Sequence, residues 1–138
     1  MKLMRQVVVF DASDIAAESE FWAGMFDGRV FKDDTFHSVI DGEGRWVMGV
    51  QLAPSHVPPE WPNGNAQQVH LDLHAIDFHE AHARALDLGA RVLQAADDVS
   101  ATEGHQVYAD PAGHPFCIGW GQPDEAAVRR FAATLPDN

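Results

Sequence analysis

Apolar and polar positions recur along this chain in two passes of one order. Gln6 to Phe10 is an apolar, β-branched run that predicts a strand. Ser13-Asp14 then supplies a helix N-cap, and Ile15, Phe21, Trp22, Met25 and Phe26 form an apolar stripe at helical spacing. Gly28 is the expected stop of that helix, and Arg29-Val30-Phe31 opens a second strand. Phe36 to Ile40 and Arg45 to Leu52 flank Asp41-Gly42-Glu43-Gly44, a hairpin signal. The first pass therefore reads β-α-β-β-β.

From Val69 the order repeats. A strand is expected from Val69 to Ala75, and Asp77 caps a helix with Glu80 placed for a capping box. Phe78, Ala81, Ala85 and Leu88 form that helix's apolar stripe, Gly89 ends it, and Arg91-Val92-Leu93 opens the next strand. Gln106-Val107-Tyr108 and Phe116-Cys117-Ile118 follow, separated by the turn Asp110-Pro111-Ala112-Gly113. Aligned directly, Val7 falls on His70, Ala12 on Ala75 and Asp14 on Asp77; after a slip of one residue, Arg29-Val30 falls on Arg91-Val92. The repeat is one of pattern rather than of letters.

Between the passes, Ala53 to Gln68 carries Pro54, Pro58, Pro59, Pro62 and Gly64 and reads as an ordered linker, because Trp61 is an odd choice for a free one. A last helix is expected from about Pro123 to Leu135, with Val128, Phe131 and Leu135 as its docking stripe. The expected organisation is one α+β domain over residues 1–138: module one at about 5–53, linker at 54–68, module two at 69–121 and the terminal helix at 123–135. At 138 residues with 46% apolar content, one domain with a real core is the simplest reading.

A net charge of −12 removes nucleic acid and anionic membrane surfaces as partners, since phosphate binding needs clustered Lys and Arg. The same field favours a cationic ligand, although solubility explains surplus acid equally well. Cys117 is the only cysteine, so neither an internal disulfide nor a thiolate cluster is available. No apolar run resembles a signal peptide or a membrane span, and a cytoplasmic protein is the expectation.

The strongest chemical signal is in Val69 to His74. A strand alternates with a period of two, so His70, Asp72 and His74 share one face while Leu71 and Leu73 share the other. Three ionisable groups in a row on one face either meet solvent or line a cavity.

The two β-α-β-β-β passes, with Phe21-Trp22, Leu88-Gly89-Ala90-Arg91-Val92 and Asp110-Pro111-Ala112-Gly113-His114-Pro115-Phe116, resemble the vicinal oxygen chelate superfamily. This is the group of glyoxalase I, bleomycin-resistance proteins and extradiol dioxygenases, and the likeness is to its small glyoxalase-like members. It covers about Gln6 to Trp120. The resemblance implies two four-stranded half-sheets curled into a cup with helices outside. It also implies one metal ligand on each of four strands, at positions that fall here on Val7, about Gln51, His70 and Cys117. Val7 cannot bind a metal, Gln51 offers a weak neutral oxygen, and Cys117 stands where the family has Glu. A glyoxalase-type centre holds a divalent ion with His, Gln and Glu so that it polarises substrate oxygens. A dioxygenase centre needs two His and a carboxylate around iron. Neither set is complete, so no cofactor is expected. A site for a soft divalent ion on His70, Gln51 and Cys117 remains the alternative.

Other candidates carry a plainer reading beside the functional one. Cys117 pairs with His70 as a nucleophile or serves as a small apolar filler between Phe116 and Ile118. His79-Glu80-Ala81-His82 is one residue short of the zinc-protease spacing, and its histidines read as a solvated face. Trp22 and Trp120 read as core, Trp46 is ambiguous, and Trp61 is the aromatic best placed to cap a ligand or an interface. His37 is expected to reach the cup, and His114, in a turn, to be exposed.

The first functional expectation is a protein that binds a small organic molecule, aromatic or cationic, in the cup without a full metal centre. Gln51, Trp61, His70, Asp72, His74, His37 and Cys117 are its ligand-binding residues. The second is an enzyme: a metal-dependent lyase, isomerase or dioxygenase with non-standard ligands, or a metal-free acid–base catalyst in which Asp72 orients His70. A structural or regulatory module is the third, and the polar strand weighs against it. The resemblance further implies a homodimer, in which modules from different chains sometimes pair.

Overall fold

The computed structural model describes residues 2–134. Its elements run β1 (Val8–Ala12), α1 (Ile15–Met25), β2 (Arg29–Lys32), β3 (Phe36–Ile40), β4 (Trp46–Leu52), β5 (Leu71–His74), α2 (Phe78–Asp87), β6 (Arg91–Gln94), β7 (Gly104–Ala109), β8 (Pro115–Trp120) and α3 (Glu125–Ala132). The β-α-β-β-β order expected twice is present twice. β1 begins two residues later than expected, and β5 occupies only the middle of Val69 to Ala75.

Each module folds its own mixed four-stranded sheet, in order β1-β4-β3-β2 and β5-β8-β7-β6. The first strand of each pairs parallel with the last, and the remaining pairs are antiparallel. A parallel pair needs a crossover, which α1 and α2 supply. Asp14 accepts from Ala17 N and Asp77 from Glu80 N, so both expected caps hold. α2 ends as expected, with Gly89 at φ 107°. α1 ends differently. Asp27 takes the left-handed position, at φ 50°, and Gly28 is needed because a Cβ there would come within 1.9 Å of the Ile40 carbonyl.

The two hairpins that close the modules share one design. Asp41 N donates to Arg45 O and Gly44 N to Asp41 O; Asp110 N donates to His114 O and Gly113 N to Asp110 O. In both, the aspartate side chain accepts from the backbone N–H and from the side chain of the residue four positions on. The repeat therefore extends to side-chain chemistry.

Sheet faces follow from alternation. Phe10, Ala12, Val39, Met48 and Val50 turn toward α1, while Phe116, Ile118 and Tyr108 face the α2 side with Phe78 and Ala85. The modules join where Phe21 and Trp22 of α1 meet Phe116 of β8, with ring centroids 5.7 and 5.2 Å apart. Arg84 of α2 adds hydrogen bonds to the Gly24 carbonyl and Asp27 at the end of α1. Trp22 and Trp120 are core residues, as read from the sequence. The terminal helix departs from expectation: no residue of α3 is buried, and Val128 and Phe131 are 49% and 66% exposed. The stripe expected to dock does not dock on this chain; its third member, Leu135, lies outside the described residues.

Candidate functional site

The face of the second sheet away from the helices carries a polar cavity of about 310 Å³ lined by His70, Asp72, His74, His105, Cys117, Gly119 and Gln122. Register builds it: Asp72 lies beside Cys117, His74 beside Gly119, and His105 across from Gly119 on the other side. His70 precedes β5 and keeps its alternation, with Nε2 3.5 Å from Asp72 Oδ1. Burial, then the neighbouring Asp72, pushes the Cys117 thiol up to about 11, so it is held as the neutral thiol at neutral pH. Gly119 leaves room for Gln122: a Cβ there would stand 3.0 Å from the Gln122 carboxamide oxygen. That Oε1 is itself out of solvent and receives no hydrogen bond. The site thus presents acceptors, imidazoles and one unmet carboxamide oxygen.

Four of the residues singled out in the sequence, His70, Asp72, His74 and Cys117, meet in this cavity. Cys117 is not the buried filler considered above, because it faces Asp72 from the open side of the sheet. Gln51 is exposed on β4 and lines a different cavity with Asp11 and His56. Trp61 is half-buried in the linker and lines neither. His37 is a correction: it is 5% exposed and its Nδ1 lies 2.7 Å from Ser19 Oγ of α1, on the face opposite the cup. Its register partner Val50 points the same way, so alternation from Val39 could have shown it. His82 also departs from a solvated face, with Nδ1 2.8 Å from the Tyr108 hydroxyl.

The ligand set implied by the family does not fit this chain. Val7 has no donor atom, Gln51 lines the other cavity, and Cys117 stands where the family has Glu. His70, Asp72 and Cys117 do lie within 4.8 Å of one another and are the donors closest to a cation site on this face. They come from one module, whereas the family's positions draw on both.

A second cluster escaped the sequence reading. His114, expected to be exposed, is 16% exposed at its side chain, and its Nδ1 lies 3.1 Å from Asp110 Oδ2 and 3.4 Å from Glu18 Oε1. Both carboxylates are fully buried. Glu18 Oε1 also accepts from Trp22 Nε1 at 2.9 Å, and Oε2 from Ala112 N at 3.0 Å; Asp110 accepts from His114 N at 2.8 Å. Glu18 is in module one and the others in module two, apart from Trp22, so the cluster bridges the modules. N–H donors already point at both acids, which leaves this group of acids and imidazole a closed hydrogen-bond network rather than a cation site. The signal available in sequence was the likeness of Asp110-to-His114 to Asp41-to-Arg45.

Burial, joined by Asp110, pushes the Glu18 carboxyl up to about 7 against the pull of His114. For His114, burial works against the charge but is outweighed by the hydrogen bonds to Asp110 and Glu18, which raise it to about 9.

Comparison with known proteins gives a consistent result. Residues 7–119 match the family described as a glyoxalase-like domain. No curated protein matches in sequence. The fold is similar to a fosfomycin resistance protein from Mesorhizobium loti, at TM-score 0.63 and 14% identity, covering 95% of this chain and 99% of that one. It is also similar to a glyoxalase/bleomycin resistance protein/dioxygenase family enzyme from Burkholderia phytofirmans, at TM-score 0.62 and 17% identity, covering 84% and 97%. A glyoxalase-related enzyme from Fulvimarina pelagi matches at TM-score 0.60 and 19% identity, covering 86% and 88%.

Both raised groups bind protons more tightly folded than unfolded, so their stabilisation is lost as pH rises. Glu18 acts between its ordinary 4.5 and about 7, and His114 between its ordinary 6.5 and about 9. Asp41 and Asp98, both lowered, act below this window, and Cys117 and Tyr108 above it. Urea unfolding should show stability falling from about pH 5 to about pH 9, with Glu18→Gln flattening the lower part of the slope. His114→Ala should cost about 3 to 5 kcal/mol at neutral pH, the scale for stranding a buried charge. Stability rising across that window would contradict the assignment.

Proposed function

The chain belongs to the glyoxalase-like domain family, and from that premise we propose that it binds a small organic molecule on the polar face of its second sheet without a full metal centre. One observation carries the reading: His70, Asp72, His74, His105 and Cys117 converge on one cavity with the unmet Gln122 Oε1. An acceptor shut away from solvent is costly until a donor meets it. The bound molecule therefore carries hydrogen-bond donors, and a positive charge suits both Asp72 and the net charge of −12. A fosfomycin resistance protein among the similar folds supports small drug-like molecules as the ligand class. The alternative, a metal-free acid–base enzyme, is favoured by the 3.5 Å approach of Asp72 to His70. No helix among the described residues is long and apolar enough to cross a membrane. A free thiol suits the reducing cytoplasm, where the protein is proposed to act.

A second copy of the chain is the proposed cover of the cup. The corresponding face of the first sheet carries an open patch around Phe31, 71% exposed, with Ile40 and Trp46 beside it and Arg29 and Ser38 among them. Pairing that face with the polar face of a partner's second sheet would enclose the ligand. Sedimentation should show a dimer that Phe31→Asp converts to a monomer; a monomer at all concentrations would overturn the pairing.

Fluorescence titration with proflavine, a planar cation, tests the ligand reading. Saturable binding that weakens at least tenfold in His70→Ala and in Asp72→Asn is expected. The anionic dye 8-anilinonaphthalene-1-sulfonate should bind more weakly. Equal binding of both dyes, or no effect of either substitution, would contradict the proposal.

A further inference from the structure

A second cavity, of about 510 Å³, lies at the seam between the modules, where the edge strand β1 meets the linker and the β7–β8 hairpin. Its walls include Val8 and Val9 of β1, Val57 and Gln67 of the linker, Val69, and His114. It is separate from the polar face: none of its lining residues lines the His70 cavity.

Two features mark this space as built for a ligand. The first is the way His114 is held. Phe10 and His56 pack against its ring, with centroids 4.6 and 4.9 Å away, and its Nδ1 is committed to Asp110 and Glu18. Its Nε2 has no hydrogen-bond partner among the described residues, and the ring forms part of the cavity wall. Against the opposing effect of burial, the hydrogen bonds to Asp110 and Glu18 raise the ring to about 9 and hold it as the imidazolium at neutral pH, and in that form Nε2 is a donor as well as Nδ1. The second is Gln67, whose Oε1 is out of solvent and receives no hydrogen bond. An orphaned acceptor and a fixed donor on two residues of one cavity wall ask for a molecule that offers both complements.

From this juxtaposition we infer that the seam cavity binds a small neutral molecule with an apolar body, whose carbonyl accepts from His114 and whose N–H or O–H donates to Gln67. An amide carries that pair of groups on adjacent atoms. Charge selects the neutral form. Asp11 lines the cavity and Asp110 and Glu18 stand behind His114, which disfavours an anion, while the imidazole donor disfavours a cation at the same place. Val8, Val9, Val57 and Val69 supply an apolar stretch of the wall, beside Gln51 and Asn65, and that stretch fits an aromatic or branched body.

Three probes of one shape and different charge test this: phenylacetamide, phenylacetate and phenethylamine, each titrated into isotope-labelled full-length protein and followed by NMR. Phenylacetamide should give saturable shifts at the His114 ring and the Gln67 side-chain amide, with the two charged probes at least tenfold weaker. Gln67→Leu, in an exposed stretch of the linker outside the buried cluster, should weaken phenylacetamide at least tenfold while leaving proflavine binding unchanged. The inference is overturned if no probe gives saturable shifts, if all three bind alike, or if shifts are confined to the His70 face. It is also overturned if Gln67→Leu, folded by circular dichroism, binds phenylacetamide as well as the parent protein. Proflavine reports the other cavity, so the failure of one site is distinguishable from the failure of the other.

Discussion

Glu18 and Asp110 sit without solvent contact at the junction of the two modules, and a carboxylate in that position is tolerated only where donors reach it. The indole of Trp22, the backbone of Ala112 and the imidazole of His114 provide them. Each donor is also a packing element. Trp22 touches Phe10, Phe21 and Phe116, and His114 rests on Phe10. Satisfying the acids and closing the aromatic core are therefore one event. A half-satisfied network would cost more than an apolar junction, which makes the relative placement of the modules specific.

The two modules keep a common backbone plan and differ in what it carries. The same aspartate-anchored hairpin is at the surface in module one, where Asp41 pairs with the exposed Arg45. In module two it is buried against α1, and histidine replaces arginine at the position four residues on. The open sheet faces diverge as well. Module one presents Phe31, Ile40 and Trp46; module two presents histidines, Asp72 and Cys117. A repeated scaffold with one apolar and one polar face suits enclosure of a molecule between unlike walls. It also explains why a ligand set spread over both modules is not gathered on either sheet alone.

The fold was legible because it rests on local signals. Asp14 and Asp77 cap their helices, Gly89 terminates α2, and period-two alternation in β5 placed His70, Asp72 and His74 on one face. The polar cavity followed from that strand. What stayed hidden depends on contacts distant in sequence. Glu18 and Asp110 are 92 positions apart, counted from their numbers, and neither differs in type from the surface acids around it. His37 was misplaced because a histidine on a strand suggests an open face, whereas Ser19 of α1 satisfies it inside. Gln122 and His105 lack any local motif and become part of the site only through the pairing of β7 with β8 and the turn after it.

The central claim, that the polar face holds an organic molecule and not the metal centre of its family, is tested most directly by metal titration. Full-length protein purified without an affinity tag would be incubated anaerobically with nickel, zinc, manganese and ferrous ions, then assayed for retained metal after gel filtration beside His70→Ala. Substoichiometric metal, equal in both proteins, is the predicted result, since Val7 offers no ligand and Gln51 lines a different cavity from His70 and Cys117. One retained equivalent that His70→Ala abolishes would contradict it.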